Sequence, residues 1–114
     1  KDLFYYLALI YSQEDEKEKE INVYSELLDN FEDEYKALMN RGLLYNEIQE
    51  FEKAKTDFSN AILIDPNDAE PRVLRGVIYI NEGNTEKGCV DLMRARELGD
   101  QSTAVVELIP TYCE

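Results

Sequence analysis

The chain has 114 residues, enough for one domain that buries roughly two thirds of the surface its unfolded form would expose, so neither a disulfide nor a metal is required for folding. Twelve basic side chains against 25 acidic ones give a net charge of -13, which repels nucleic acid and anionic membrane surfaces. Histidine is absent, and with it the usual general base and the commonest transition-metal ligand.

From the N-terminus, the longest apolar run, Leu3 to Ile10, is far too short to span a bilayer and carries its aromatic rings at helical spacing, so no membrane insertion is expected. The chain starts at Lys1 rather than methionine, which suggests a processed or excised segment. Asp15 marks a first turn, inside the charged run Glu14-Asp15-Glu16-Lys17-Glu18-Lys19-Glu20, which reads as a solvated turn and helix face. Neither this run nor Glu32-Asp33-Glu34 alternates oxygen ligands around a central glycine, so no calcium loop or other metal site is expected. Amphipathic periodicity then predicts helices over 34–47 and 51–64, stopped by Asp65-Pro66-Asn67-Asp68, since proline cannot continue a helix. Asp68 or a neighbour can cap the next helix, which starts near Pro71; Gly83-Asn84 makes a turn, and a further helix follows over about 85–98. The last stretch, Gln101 to Tyr112, spaces Ala104, Val105, Leu108 and Ile109 as one helical face and is expected to form a capping helix ended by Pro110.

These segments repeat. Laid in three rows of 34 starting at Lys1, Tyr35 and Ala69, the chain puts Tyr11, Tyr45 and Tyr79 in one column and Ala8, Gly42 and Gly76 in another. Two more columns collect Tyr24, Phe58 and Leu92, and Leu27, Ala61 and Ala95. Each row therefore holds a helix pair, and the expected architecture is all-α: a single solenoid domain over 1–114, with repeats 1–34, 35–68 and 69–102 and a seventh helix over about 101–112. Glycine in mid-helix costs roughly 1 kcal/mol against alanine, so its recurrence in one column points to a close crossing of the two helices of a pair. Arg41 goes with Asp57 and Arg75 with Asp91, sixteen residues on, where the first row has Leu7 with Val23. Columns that switch as a unit predict a partly buried structural ion pair in two rows and an apolar pair in the other.

The columns resemble the tetratricopeptide repeat. The second row matches that pattern with Leu38, Arg41, Gly42, Tyr45, Ala54, Phe58, Ala61 and Pro66. The third carries Gly76, Tyr79, Gly88, Leu92 and Ala95, with Arg72 at the first large position and Asp100 at the proline. The first diverges more, with Phe4, Leu7, Ala8, Tyr11, Tyr24 and Leu27, but Glu20 in the alanine column and Glu32 in the proline column. The resemblance implies a right-handed superhelix whose concave face is made mainly by the first helix of each pair. It also implies a scaffold for an extended or helical segment of a partner, with no catalysis and no cofactor. By family position the partner-binding face would carry Tyr5, Leu9 and Ser12, then Met39, Leu43 and Asn46, then Val73, Val77 and Ile80. Some members clamp a terminal carboxylate with basic and asparagine side chains, a pattern from which this chain departs. Tyr5, Leu9, Glu70 and Leu74 occupy clamp places and Asn40 alone survives.

An apolar groove with acidic edges suits a basic or amphipathic protein segment, whereas an assembly role, with the stripe or first helix packed on a neighbouring domain or a second copy, is the alternative. The acidity is concentrated in the first row, with 11 acidic and 3 basic residues, which would draw a basic partner to that end. Cys89 and Cys113 are the only thiols. An antiparallel capping helix would return Cys113 to the level of Cys89, so a disulfide, stabilising by roughly 3 to 4 kcal/mol in an oxidising compartment, and two reduced buried thiols in the cytoplasm both remain open. Without a histidine to activate it, neither cysteine is expected to act as a nucleophile.

Overall fold

A computed structural model describes all residues from Lys1 to Glu114, and every regular element in it is helical. Seven α-helices follow in order: α1 (Asp2–Gln13), α2 (Lys17–Asn30), α3 (Tyr35–Glu47), α4 (Phe51–Ile64), α5 (Glu70–Asn81), α6 (Thr85–Glu97) and α7 (Thr103–Leu108). A π-helical turn, Ile109–Cys113, continues from α7. The chain divides into two compact units, Lys1–Asp57 and Phe58–Glu114, with the division inside α4. In the first unit α1 packs on α2 and α2 on α3; in the second α5 packs on α6, and α7 with the terminal turn packs on α6.

The first helix of every row ends in the same way. Asp15, Gln49 and Gly83, which share one column, have φ of 56°, 65° and 85°. The amide that follows each of them reaches back to the tyrosine column: Glu16 to the Tyr11 carbonyl at 2.9 Å, Glu50 to Tyr45 at 2.8 Å and Asn84 to Tyr79 at 2.8 Å. This left-handed cap satisfies carbonyls that a helix end would otherwise leave free. At the start of α5, Asp68 Oδ1 accepts a hydrogen bond from the Glu70 amide at 3.1 Å, and Pro71 occupies the first turn.

Within the second unit, α5 and α6 cross with their backbones in contact. A Cβ on Gly88 would fall 2.7 Å from the Ile80 side chain and 2.9 Å from the Gly76 carbonyl oxygen, while one on Gly76 would lie 3.1 Å from Asp91 Cβ. Such distances leave no room for alanine at Gly88 without displacing α5.

Two arginines tie the helices together. Arg41 of α3 donates from Nε and Nη2 to both carboxylate oxygens of Asp57 on α4, at 2.8 and 2.7 Å, and from Nη1 to Ser25 Oγ on α2 at 3.1 Å. Arg75 of α5 does the same with Asp91 on α6, at 2.8 and 2.6 Å, and with Ser59 on α4 at 2.9 Å. Asp57 and Asp91 are only 1% and 2% exposed. Hydrogen bonding to the aspartate pushes each guanidinium further above its ordinary pKa, against the opposing effect of burial. A planar fork gripping a carboxylate in this way gives direction as well as energy.

The C-terminal segment closes the second unit. Val105 and Ile109 sink among Val73, Ile80, Leu92 and Ala95. Cys89 and Cys113 are bonded, with an S–S distance of 2.08 Å and a separation of 24 residues, and Arg96 pairs with Glu114 at 2.9 Å. Pro110, expected to end the helical path, does not. It lies in the first turn of the π-helical segment, and the chain winds on to Cys113.

Urea denaturation tests the arginine ties. Arg41→Leu should lose roughly 3–5 kcal/mol, because it strands the Asp57 carboxylate in the interior. The double change R41L/D57V, which installs the Leu7 and Val23 combination of the first row, should regain most of that loss; a double variant no more stable than the single one contradicts the pairing.

Candidate functional site

A cleft of about 710 Å³ opens in the first unit, walled by α1 and α3 and floored by α2. Tyr5, Leu9 and Ser12 face it from α1, and Lys36, Asn40, Leu43 and Glu47 from α3. Spacings of three and four put each set on one stripe of its helix. Ala8, Leu44, Tyr24 and Glu20 lie deeper, all four buried. Leu9 remains 58% exposed, an apolar side chain with no cover in this fold.

The floor is held by directed contacts. The Tyr5 and Tyr24 rings meet edge to face, with centroids 6.3 Å apart, and Asn40 Nδ2 donates to Tyr24 Oη at 3.1 Å. Tyr5 Oη donates to Glu34 Oε2 at 3.0 Å, Lys1 pairs with the same carboxylate, and Lys36 Nζ stands 4.9 Å above the Tyr5 ring. Burial, and then the hydrogen bond to Glu34, push the Tyr5 hydroxyl up to about 12. Burial raises Tyr24 as well, while hydrogen bonds from Lys1 and Tyr5 hold the Glu34 carboxyl below its ordinary value.

The other end of the cleft is acidic. Lys17 Nζ sits 3.0 Å from Asp15 Oδ1 and 3.9 Å from Glu47 Oε2. Glu20 is 8% exposed and its side chain makes no hydrogen bond. Its pKa is raised, first by burial and then by the neighbouring Glu47 carboxylate, with Lys17 pulling the other way. The cleft thus offers aromatic and aliphatic walls, one cation at the Tyr5 end, and an excess of carboxylate at the Glu20 end.

Of the residues expected on the binding face, Tyr5, Leu9, Asn40 and Leu43 line this cleft together. Met39 does not: it is 6% exposed and belongs to the core. Val73 and Ile80 are also core residues, covered by Val105 and Ile109, with Val77 packed at the edge of the same cluster. The C-terminal helix lays its apolar face on this stripe, which therefore faces protein rather than solvent. Asn46 is half-buried on α3 and does not line the cleft. Glu20 departs from the reading of its charged run as a solvated face, because one side of α2 turns into the unit while the rest of the run stays outside. Lys17, Tyr24, Lys36 and Glu47 also line the cleft and were not singled out from sequence as binding residues. The one signal for Glu20 was its place in a column that elsewhere holds Ala54 and Gly88.

Helix pairs of similar length with one recurring cap, followed by a closing helix, define an all-α repeat protein. Residues 35–68 match the family model of the tetratricopeptide repeat. The fold of the rest agrees. The second tetratricopeptide domain of human RPAP3, in complex with the HSP70 peptide SGPTIEEVD, is 20% identical over 97% of this chain and 92% of that one, with a TM-score of 0.83. The Yersinia enterocolitica type III secretion chaperone SycD, in complex with a peptide of the translocator YopD, is 16% identical over 97% and 85%, with a TM-score of 0.80. A tetratricopeptide repeat protein from Parabacteroides merdae is 25% identical over 91% of this chain and 41% of its own, with a TM-score of 0.84. A search of curated protein sequences finds no significant match. The chain has the tetratricopeptide-repeat fold, an α-solenoid of three helix pairs and a seventh helix.

Glu20 yields a prediction on stability. Its folded pKa lies above the ordinary 4.5, so the group favours the folded state when protonated and that contribution is lost as pH rises. Asp15, Lys17 and Glu47 are the charged groups that share its end of the cleft. Glu20→Gln should therefore melt above wild type at neutral pH and level with it well below the carboxylate range, where both states are protonated. A variant that melts lower than wild type at neutral pH would show the carboxylate to be stabilising.

Proposed function

We propose that this chain is a protein-interaction module that takes an extended or helical segment of a partner protein into the cleft between α1 and α3. The observation that carries this reading is the uncovered apolar wall of Tyr5, Leu9 and Leu43, lying above a floor already fixed by its own hydrogen bonds. A pre-formed, largely apolar hollow with a few fixed polar groups is the usual form of a binding site. The two peptide-bound structures above lend support at the level of fold. The peptide SGPTIEEVD bound by the human domain ends in acidic residues, whereas this cleft places Glu20 and Glu47 at one end and engages Asn40 with Tyr24. Like charge weighs against such a tail and in favour of a basic or amphipathic segment. The Cys89–Cys113 bond fits an oxidising compartment.

One further observation favours an assembly role beside this one. α1 is apolar on nearly every side, and it exposes Leu3 at 70% and Leu7 at 37%, on a stripe distinct from that of Tyr5 and Leu9. A helix apolar all round is ordinarily buried all round. That stripe suits a neighbouring domain or a second copy of the chain.

Two measurements separate these readings. Affinity capture with wild type, Leu9→Glu and Leu43→Glu should return partners that both variants lose; identical sets of bound proteins would overturn the cleft as the binding site. Sedimentation over a range of concentrations should show a monomer if α1 is free. Dimers that Leu3→Glu abolishes would instead assign that face to self-association.

A further inference from the structure

Glu20 is the side chain whose position the fold least explains. It is 8% exposed, faces the cleft, and has no hydrogen bond to either oxygen. The corresponding positions in the other two rows are Ala54 and Gly88, both buried, so packing at this column is served by a small residue. A carboxylate largely drawn out of water and without a hydrogen bond is destabilising, and such groups are ordinarily found paired. The nearest base, Lys17, attracts it without a direct ion pair. Lys17 is committed to Asp15 at 3.0 Å and leans toward Glu47 at 3.9 Å. Glu20 and Glu47 therefore share one end of the cleft with a single lysine that Asp15 already engages.

We propose that the acidic end of the cleft is a receptor for a lysine or arginine side chain of the bound segment, its cation taken by the Glu20 carboxylate with Glu47 beside it and its aliphatic stem laid along the apolar wall. The inference rests on the cleft being a binding site and adds the chemistry that it selects. Three observations favour an organic cation on a side chain. The acidic groups do not converge as a metal cage would. The approach to Glu20 is lined by Leu9, Leu43 and Leu44, which suit the methylenes of a long basic side chain better than a bare ion. The opposite end is occupied by Lys36 over Tyr5, so the charges along the cleft run from basic to acidic and set the direction in which a basic segment enters. Binding gives the Glu20 carboxylate, which has no hydrogen bond and only the attraction of a shared Lys17 in the free protein, a partner of its own.

The test is an amide-resolved NMR titration of the whole chain with three probes: N-acetyl-lysine methylamide, N-acetyl-arginine methylamide, and the uncharged N-acetyl-norleucine methylamide. The basic probes should shift the amides around Glu20, Leu43 and Glu47 in a salt-sensitive way, and the norleucine probe should not. Glu20→Gln should weaken the basic probes about tenfold, the value of one charge-assisted hydrogen bond. Glu47→Gln, an exposed change that leaves the fold intact, should weaken them less. Equal shifts from all three probes, or undiminished binding by both variants, would overturn the cation receptor and leave the cleft standing as an apolar site. Silence of the basic probes at the Glu20 end would overturn the receptor as well, and partner capture with Leu9→Glu reports on the cleft independently of either result.

Discussion

Two carboxylates almost entirely removed from water set the terms for much of this structure. Burying the Asp57 and Asp91 carboxylates is costly unless a cation meets both oxygens of each, and Arg41 and Arg75 do so through planar, two-bond contacts. The geometry of that grip fixes how far α3 stands from α4 and α5 from α6. It also reaches backwards, since the remaining nitrogen of each guanidinium is held by a serine one helix pair earlier, Ser25 or Ser59. One side chain thereby sets three helices at once. Non-directional apolar burial alone would allow the helices to slide; the forked contact does not.

The close crossing of α5 and α6 works with this grip. With Gly76 and Gly88 facing each other, the helices approach until a Cβ no longer fits, and at that separation Arg75 meets Asp91 at 2.6 Å. The apolar stripe left on α5 and α6 is then covered by Val105 and Ile109, and the Cys89–Cys113 bond holds the covering segment in place. The first unit has its own apolar stripe on α1 and α3, but here the side chains face an open cleft whose floor is polar enough to be stable in water. Tyr24, Asn40 and the Tyr5 hydroxyl all have partners, so the hollow keeps its shape without a ligand.

Features with a period were legible in the sequence. The helix spans over 34–47 and 51–64, the small residues at the crossings and the arginine and aspartate columns all recur at 34 residues, and repetition makes a weak local signal strong. What lacked a distinctive residue type was hidden. Gln49 adopts the same left-handed turn as Asp15 and Gly83, yet glutamine announces nothing about φ. Ser25 and Ser59 also recur, but a serine on a helix is too common to suggest that it holds an arginine. The binding stripe was placed by column, and a column cannot say whether the next helix covers it. Tyr5, Leu9 and Leu43 proved open to the cleft, whereas Val73 and Ile80 lie under the C-terminal helix.

The most informative position was the one that broke the pattern. At the small-residue column a glutamate is harder to bury than alanine, and a carboxylate kept there without a hydrogen bond makes the free protein less stable than it needs to be. Structural economy accounts for Ala54 and Gly88; it does not account for Glu20. The proposed partner of Glu20 lies outside the chain, and the walls of the cleft describe it: long enough to reach past Leu9 and Leu43, apolar along its length, and positively charged at its end.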